Sequence, residues 1–326
     1  MYLRALLQLA FALIWLLPLG QGARADIFTP TREMYLDLAR QGWVYEFGSS
    51  LKRRDPTLPP VHFDAKRTST GSVCIIGAPA HKLSRAVLGQ FESLLVDIFE
   101  RKIPLHFADR QITDCPPAQR VYLRLYSGRV YDGVLNADLR ALDQMFDLGL
   151  PTSRPERINS PAQGFSFFGR NGNVAHLMVR QPDSQDPSRL ERDFYRSILI
   201  EELFHVFSFG LDIPKISRET PFLSKLQEHP VYLKGLDWTS PDFMRRLLAS
   251  NPGGLCAFDV FMLHALAQMP LDSSNSEAFL VHIKDQFDLL LQRTRGTLAD
   301  PAFDLLLERA CLITPQPAQM TKVHKN

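Results

Sequence analysis

The chain has 326 residues, 45% of them hydrophobic, and its 37 basic and 35 acidic side chains leave a formal charge of +2. A chain of this length buries a large core and fits one large domain, or one domain with an N-terminal addition. The near-balanced, scattered charge excludes a basic face for nucleic acid or an anionic membrane, and the densest run, Lys52-Arg53-Arg54, reads as a solvated loop.

Met1-Tyr2-Leu3-Arg4 leads into an apolar run to Leu19, broken by Gln8 and Pro18 and followed by Ala23-Arg24-Ala25. A basic start, an apolar stretch short of the roughly 20 residues of a membrane span and a small-x-small ending predict a signal peptide, residues 1–25, cleaved after Ala25. Its loss removes two arginines and no acid, which brings the mature charge to zero. No Cys follows the run to carry a lipid, so the mature chain is expected in the periplasm or secreted. All four cysteines, Cys74, Cys115, Cys256 and Cys311, lie in it. In an oxidising compartment they predict two disulfides, with three connectivities allowed; chain proximity favours Cys74 with Cys115 and Cys256 with Cys311. The C-x-x-C spacing of a zinc knuckle is absent, so a cysteine-bound metal is not expected.

Residues 26–70 hold a helical pattern from Arg32 to Gln41, then Gly42-Trp43-Val44-Tyr45-Glu46-Phe47 and the Pro-rich Pro56-Thr57-Leu58-Pro59-Pro60, together an N-terminal elaboration packed on the main domain. From Lys82 to Lys102 the apolar spacing is helical (Leu83, Val87, Leu88, Phe91, Leu94, Leu95, Ile98), and Val121 to Tyr126 alternates as a strand does. Two β-prone runs between Phe165 and Arg180 flank Asn171-Gly172, a hairpin turn signal. Pro187 and the pair Ser188 and Glu191 then specify a helix start with a capping box, and Gly210 is the expected C-terminal cap. Phe279, Ile283, Phe287, Leu290 and Leu291 predict further helix within 276–310, and the Pro-, Gln- and Lys-rich residues 314–326 read as a disordered tail.

The helix opened by Ser188 carries Leu190, Phe194, Ile198, Glu201 and His205 at intervals of three to four, so two ionisable groups continue an apolar stripe. Glu201-Glu202-Leu203-Phe204-His205 has the form of the zinc-protease signature H-E-x-x-H with Glu in place of the first His. At 100° per residue, positions 201 and 205 lie about 40° apart, and 202 about 60° to the other side of 205, so all three share one arc. In that chemistry Glu201 and His205 bind Zn²⁺ and Glu202 is the general base for the metal-bound water. Either Asp212, seven residues past His205, or Asp259, on a later helical segment, supplies the third ligand. Glu228, His229 and His264 are weaker candidates. The structural alternative is a hydrogen-bonded Glu201–His205 core pair, with Asp212 or Asp259 serving as a helix cap or ion-pair partner.

The order helix, strand, hairpin, motif-bearing helix resembles the zincin-like architecture. Its expected fold class is α+β, a small mixed sheet packed on helices with a mainly helical C-terminal part, the domain spanning residues 71–313. Over roughly residues 70–270 the chain resembles an uncharacterised family of exported bacterial proteins, domain of unknown function 2927. That resemblance places Glu201, Glu202, Gly210, Leu211, Asp212 and Asp259 on the family's acidic helix, Gly-Leu-Asp turn and later acidic helix. His205 stands where the family commonly has Gln, and Gly210 lies further along than its pattern. The resemblance implies an exported zincin-like fold and brings no known reaction. Two functions are therefore expected. One is a non-catalytic binding protein of the cell envelope, for a peptide, glycan or partner protein. The other is a zinc-dependent peptidase in which the strand Val174 to Val179 aligns a peptide by backbone pairing.

Overall fold

The computed structural model describes residues 28–43, 71–117, 119–151, 153, 155–268 and 277–315. The expected signal segment, the Pro-rich connection and nearly all of the residues read as a C-terminal tail lie outside them. The fold is α+β. A five-stranded sheet has the order β2-β1-β3-β5-β4, formed by β1 (Val73–Gly77), β2 (Leu105–Phe107), β3 (Val121–Tyr126), β4 (Ala162–Gly169) and β5 (Gly172–Arg180). The first four strands in that order are parallel, and β4 pairs antiparallel with β5 through a two-residue turn, Arg170-Asn171, one residue before the expected Asn171-Gly172.

Alternation along the strands sorts side chains to two faces. On one face Val73, Ile75, Val121, Leu123, Leu125, Ala175, Leu177 and Val179 meet α2 (Lys82–Phe99) and α4 (Arg189–Ser208) in the main core. On the other, Cys74, Ile76, Tyr122, Tyr126 and Met178 meet α3 (Asp132–Phe146). Pairing on both sides corrects the expectation for Val174 to Val179. Strand β5 is internal, between β3 and β4, so among the described residues the strand with an unpaired flank beside α4 is β4.

Helix α1 (Arg32–Trp43) is set into the main core. Tyr35 packs edge-on to Phe258 and Phe261, at 4.9 and 5.2 Å between centroids, and Trp43 Nε1 donates to the carbonyl of Ser208. Helix α4 begins as its sequence predicts, with Ser188 and Glu191 bonding reciprocally. Its C-cap is Phe209 in the left-handed conformation (φ 59°), one residue before the expected Gly210. Gly210 serves a close approach instead, since a Cβ there would lie 2.3 Å from Leu226 and 2.6 Å from Trp43. Past α4 come the short parallel pair β6 (Ile213–Pro214) and β7 (Gln227–Glu228), α5 (Pro241–Leu248), α6 (Ala257–Gln268), buried from Ala257 to Leu266, α7 (Glu277–Asp285) and α8 (Phe287–Leu298).

Both favoured disulfides are present. Cys74–Cys115 ties β1 to the turn after β2, and Cys256–Cys311 ties the start of α6 to the C-terminal 3₁₀ turn. No helix among the described residues is long and apolar enough to cross a membrane.

Candidate functional site

Glu201, Glu202 and His205 emerge from the last turns of α4, where Phe194 and Ile198 anchor the same stripe in the core. The chain then folds back through β6 and β7, which bring Asp212 and Glu228 to the same place. The closest ligand atoms of Glu201, His205 and Asp212 lie within 4.8 Å of one another.

Each of these groups already has a partner. His205 Nδ1 lies 2.8 Å from the carbonyl of Gly210, which requires a proton on Nδ1, and Nε2 lies 3.0 Å from Asp212 Oδ1. A neutral ring would set an Nε2 lone pair against a carboxylate lone pair at that distance, so a proton belongs between them. Burial opposes charge on the ring, yet the hydrogen bond to Asp212 and the charges of Asp212, Glu201 and Glu202 outweigh it and push the His205 pKa up to about 9. At Asp212 burial opposes the charged form, but that hydrogen bond and the charges of His205 and Lys225 together outweigh it and hold the carboxyl below its usual range.

Glu201 is held by two donors, the ammonium of Lys225 at 2.9 Å from Oε2 and Asn251 Nδ2 at 2.9 Å from Oε1. Lys225 is fully buried, and its remaining donors go to Ser197 Oγ at 3.0 Å and the carbonyl of Pro252 at 2.7 Å. Three acceptors saturate an ammonium. Glu228 is hydrogen-bonded to Glu201, and burial together with the charges of Glu201 and Asp212 raises it to about 7. Two carboxyl groups in contact share a proton.

Glu202 points beneath the edge strand, with Oε2 only 2.5 Å from where a Cβ on Gly164 would stand. Burial pushes its pKa up to about 8; Glu201 and Asp212 add to the rise, while His205 and Lys225 oppose it. At neutral pH it is mainly a neutral carboxyl group, a donor rather than a base.

Asp259 is elsewhere. Fully buried at the start of α6, it accepts from Ser224 Oγ at 2.5 Å and from the backbone N–H groups of Lys225 and Cys256 at 2.7 Å each. It therefore fixes the backbone of Lys225, and its carboxylate is consumed by those donors; the third member of the cluster is Asp212. Of the weaker candidates, His229 bonds the carbonyl of Lys215 and His264 bonds Thr297, both buried.

As arranged, the donors do not fit a tight Zn²⁺ site. Glu201 carries an ammonium that would face the ion, and the His205 nitrogen is engaged by a proton. Lys225 and Asn251 escaped the sequence reading. The only signal for Lys225 is its place among Phe222, Leu223 and Leu226, a lone cation in an apolar run. Compared with family models, curated proteins and solved structures, the chain matches none.

Proposed function

We propose that this is an exported binding protein of zincin-like ancestry, related to domain of unknown function 2927, in which a degenerate metal-peptidase motif has become an internally neutralised network. The observation that carries the reading is the Lys225–Glu201 pair, whose buried ammonium stands beside the first motif residue. Lys225 with Glu201, and His205 with Asp212, balance charge without an ion. The free flank of β4 above Glu202 is the place for an extended peptide, taken up by backbone pairing. Two disulfides fit an oxidising compartment, periplasmic or extracellular.

The second reading, a zinc-dependent peptidase with Glu202 as general base, is favoured by the convergence of Glu201, His205 and Asp212. Elemental analysis of untagged mature protein, prepared without chelator, separates the two. The binding reading expects no stoichiometric zinc, together with capture of extended peptides from a random display library. Near-stoichiometric zinc that disappears in His205→Ala would overturn it in favour of the peptidase. In Glu201→His combined with Lys225→Met, zinc binding is expected to appear, because the competing ammonium is gone and an imidazole replaces the carboxylate.

A further inference from the structure

On the opposite side of the sheet lies a cavity of about 700 Å³ that the site above does not use. Its position follows from topology. The connection leaving β1 crosses one face of the sheet as α2, and the connection leaving β3 crosses the other as α3. The two crossings part at the carboxyl ends of β1 and β3 and leave a crevice there, where open α/β sheets commonly hold ligands. Its walls come from the turn after β1, the segment after β2, the end of β3 and the first turns of α3.

The floor is polar and rigidly held. Arg124, 7% exposed, directs Nε and Nη2 to the two carboxylate oxygens of Asp138, at 2.5 and 2.7 Å, and Nη2 also to the carbonyl of Arg110. Asp138 is fixed in turn by His176 Nε2 at 2.9 Å. Arg124 Nη1 has no hydrogen-bond partner among the described residues, and Arg124 lines the cavity. Gly77, with φ 96°, keeps this nitrogen open, since a Cβ there would stand 3.2 Å from Nη1 and 2.4 Å from the carbonyl of Leu125. As a purely structural element the cluster is a poor one. It buries three polar side chains where apolar ones would pack, and His176 Nδ1 has no hydrogen-bond partner among the described residues.

Above this floor the lining is apolar, from Ile112, Val130, Val134 and Ala137, and the exposed Arg110 at the rim has no ion-pair partner among the described residues. The charge of Arg124 is balanced by Asp138, which leaves that of Arg110. A cation without an ion-pair partner among the described residues, a preorganised donor and apolar walls define a ligand. We infer that the cavity at the carboxyl ends of β1 and β3 binds a small organic monocarboxylate with an aliphatic or aromatic body, its carboxylate spanning Arg124 Nη1 and Arg110. A phosphate dianion would bring a second negative charge towards Asp138 and fits less well.

The test is calorimetric titration of the intact mature protein with hexanoate and 3-phenylpropionate, each beside its neutral amide. Binding of at least one acid is expected with a dissociation constant on the order of 0.1–1 mM, reasonable for ligands of this size. The amide should bind at least about tenfold more weakly. Arg110→Gln should weaken the acid by about tenfold and leave the amide unchanged. Ala137→Trp, a substitution at an exposed position on the cavity wall, should abolish both. The inference is overturned if neither acid binds at concentrations up to about 10 mM, beyond the range expected for such ligands, or if acid and amide bind alike. It is also overturned if Ala137→Trp, folded by circular dichroism, binds as the native chain does; should that variant not fold, Arg110→Gln and the amide comparison decide.

Discussion

Lys225 Nζ lies 2.9 Å from Glu201 Oε2, with the lysine fully buried and the glutamate half-buried. A metal-peptidase helix presents its first motif residue to an ion; here that residue faces a cation supplied by the chain. The pair stands or falls together, because removing one partner strands the other charge in a poorly solvating interior.

Lys225→Met should accordingly destabilise the protein by about 3–5 kcal/mol in chemical denaturation, as breakage of a buried ion pair does. Lys225→Met combined with Glu201→Gln should recover part of that loss, since no charge is then left alone. A double variant no more stable than the single one would mean that Lys225 acts through packing and its bonds to Ser197 and Pro252.

Stability should fall as pH rises from weakly acidic values through neutrality. Glu202 titrates near 8 in the fold against an ordinary value of 4.5, so between those values the native state holds a proton that the unfolded chain has released. His205, at about 9 against 6.5, does the same over a higher window, and its contribution is complete below 6.5 and lost through 9. Both make the native state the more protonated one, which gives a negative slope of stability against pH. Melting temperatures from pH 5 to 9 check this, and Glu202→Gln should flatten the lower part of the slope. A midpoint that climbs across that range would contradict the assignment.

Gly210→Ala should cost about 1–3 kcal/mol by overpacking, because its Cβ meets Leu226 and the Trp43 ring together. Trp43→Phe, which shortens the offending ring, should relieve part of the effect; equal costs in both backgrounds would place the strain at Leu226.

Opening Cys256–Cys311 with a Cys256→Ser, Cys311→Ser pair frees a loop with a sequence separation of 55. Chain entropy sets the expected loss at about 4 kcal/mol. Denaturant midpoints of native and variant protein measure it.

Elements whose signals are local were legible in the chain. The capping box at Ser188 and Glu191 and the hairpin signalled by Asn171-Gly172 depend on residues within a few positions of each other; both are present, with the turn itself one residue earlier, at Arg170-Asn171. The arc shared by Glu201, Glu202 and His205 is a property of one helix, so periodicity alone placed it. The choice between Asp212 and Asp259 was not local. It turned on which loop returns to α4 and on backbone donors at Lys225 and Cys256 that consume Asp259.

What the sequence determined by itself was the α+β class, the helix that presents the motif, the hairpin beside it and the favoured cysteine pairings, because short-range periodicity, turn chemistry and loop closure govern these. Tertiary structure alone decided that β4 and not β5 has the free flank, that Lys225 and Asn251 hold Glu201, and that Arg124, Asp138 and His176 meet beneath a cavity. Strand order and side-chain pairing across long stretches of chain depend on how whole layers pack, and no local pattern of residue types encodes that arrangement.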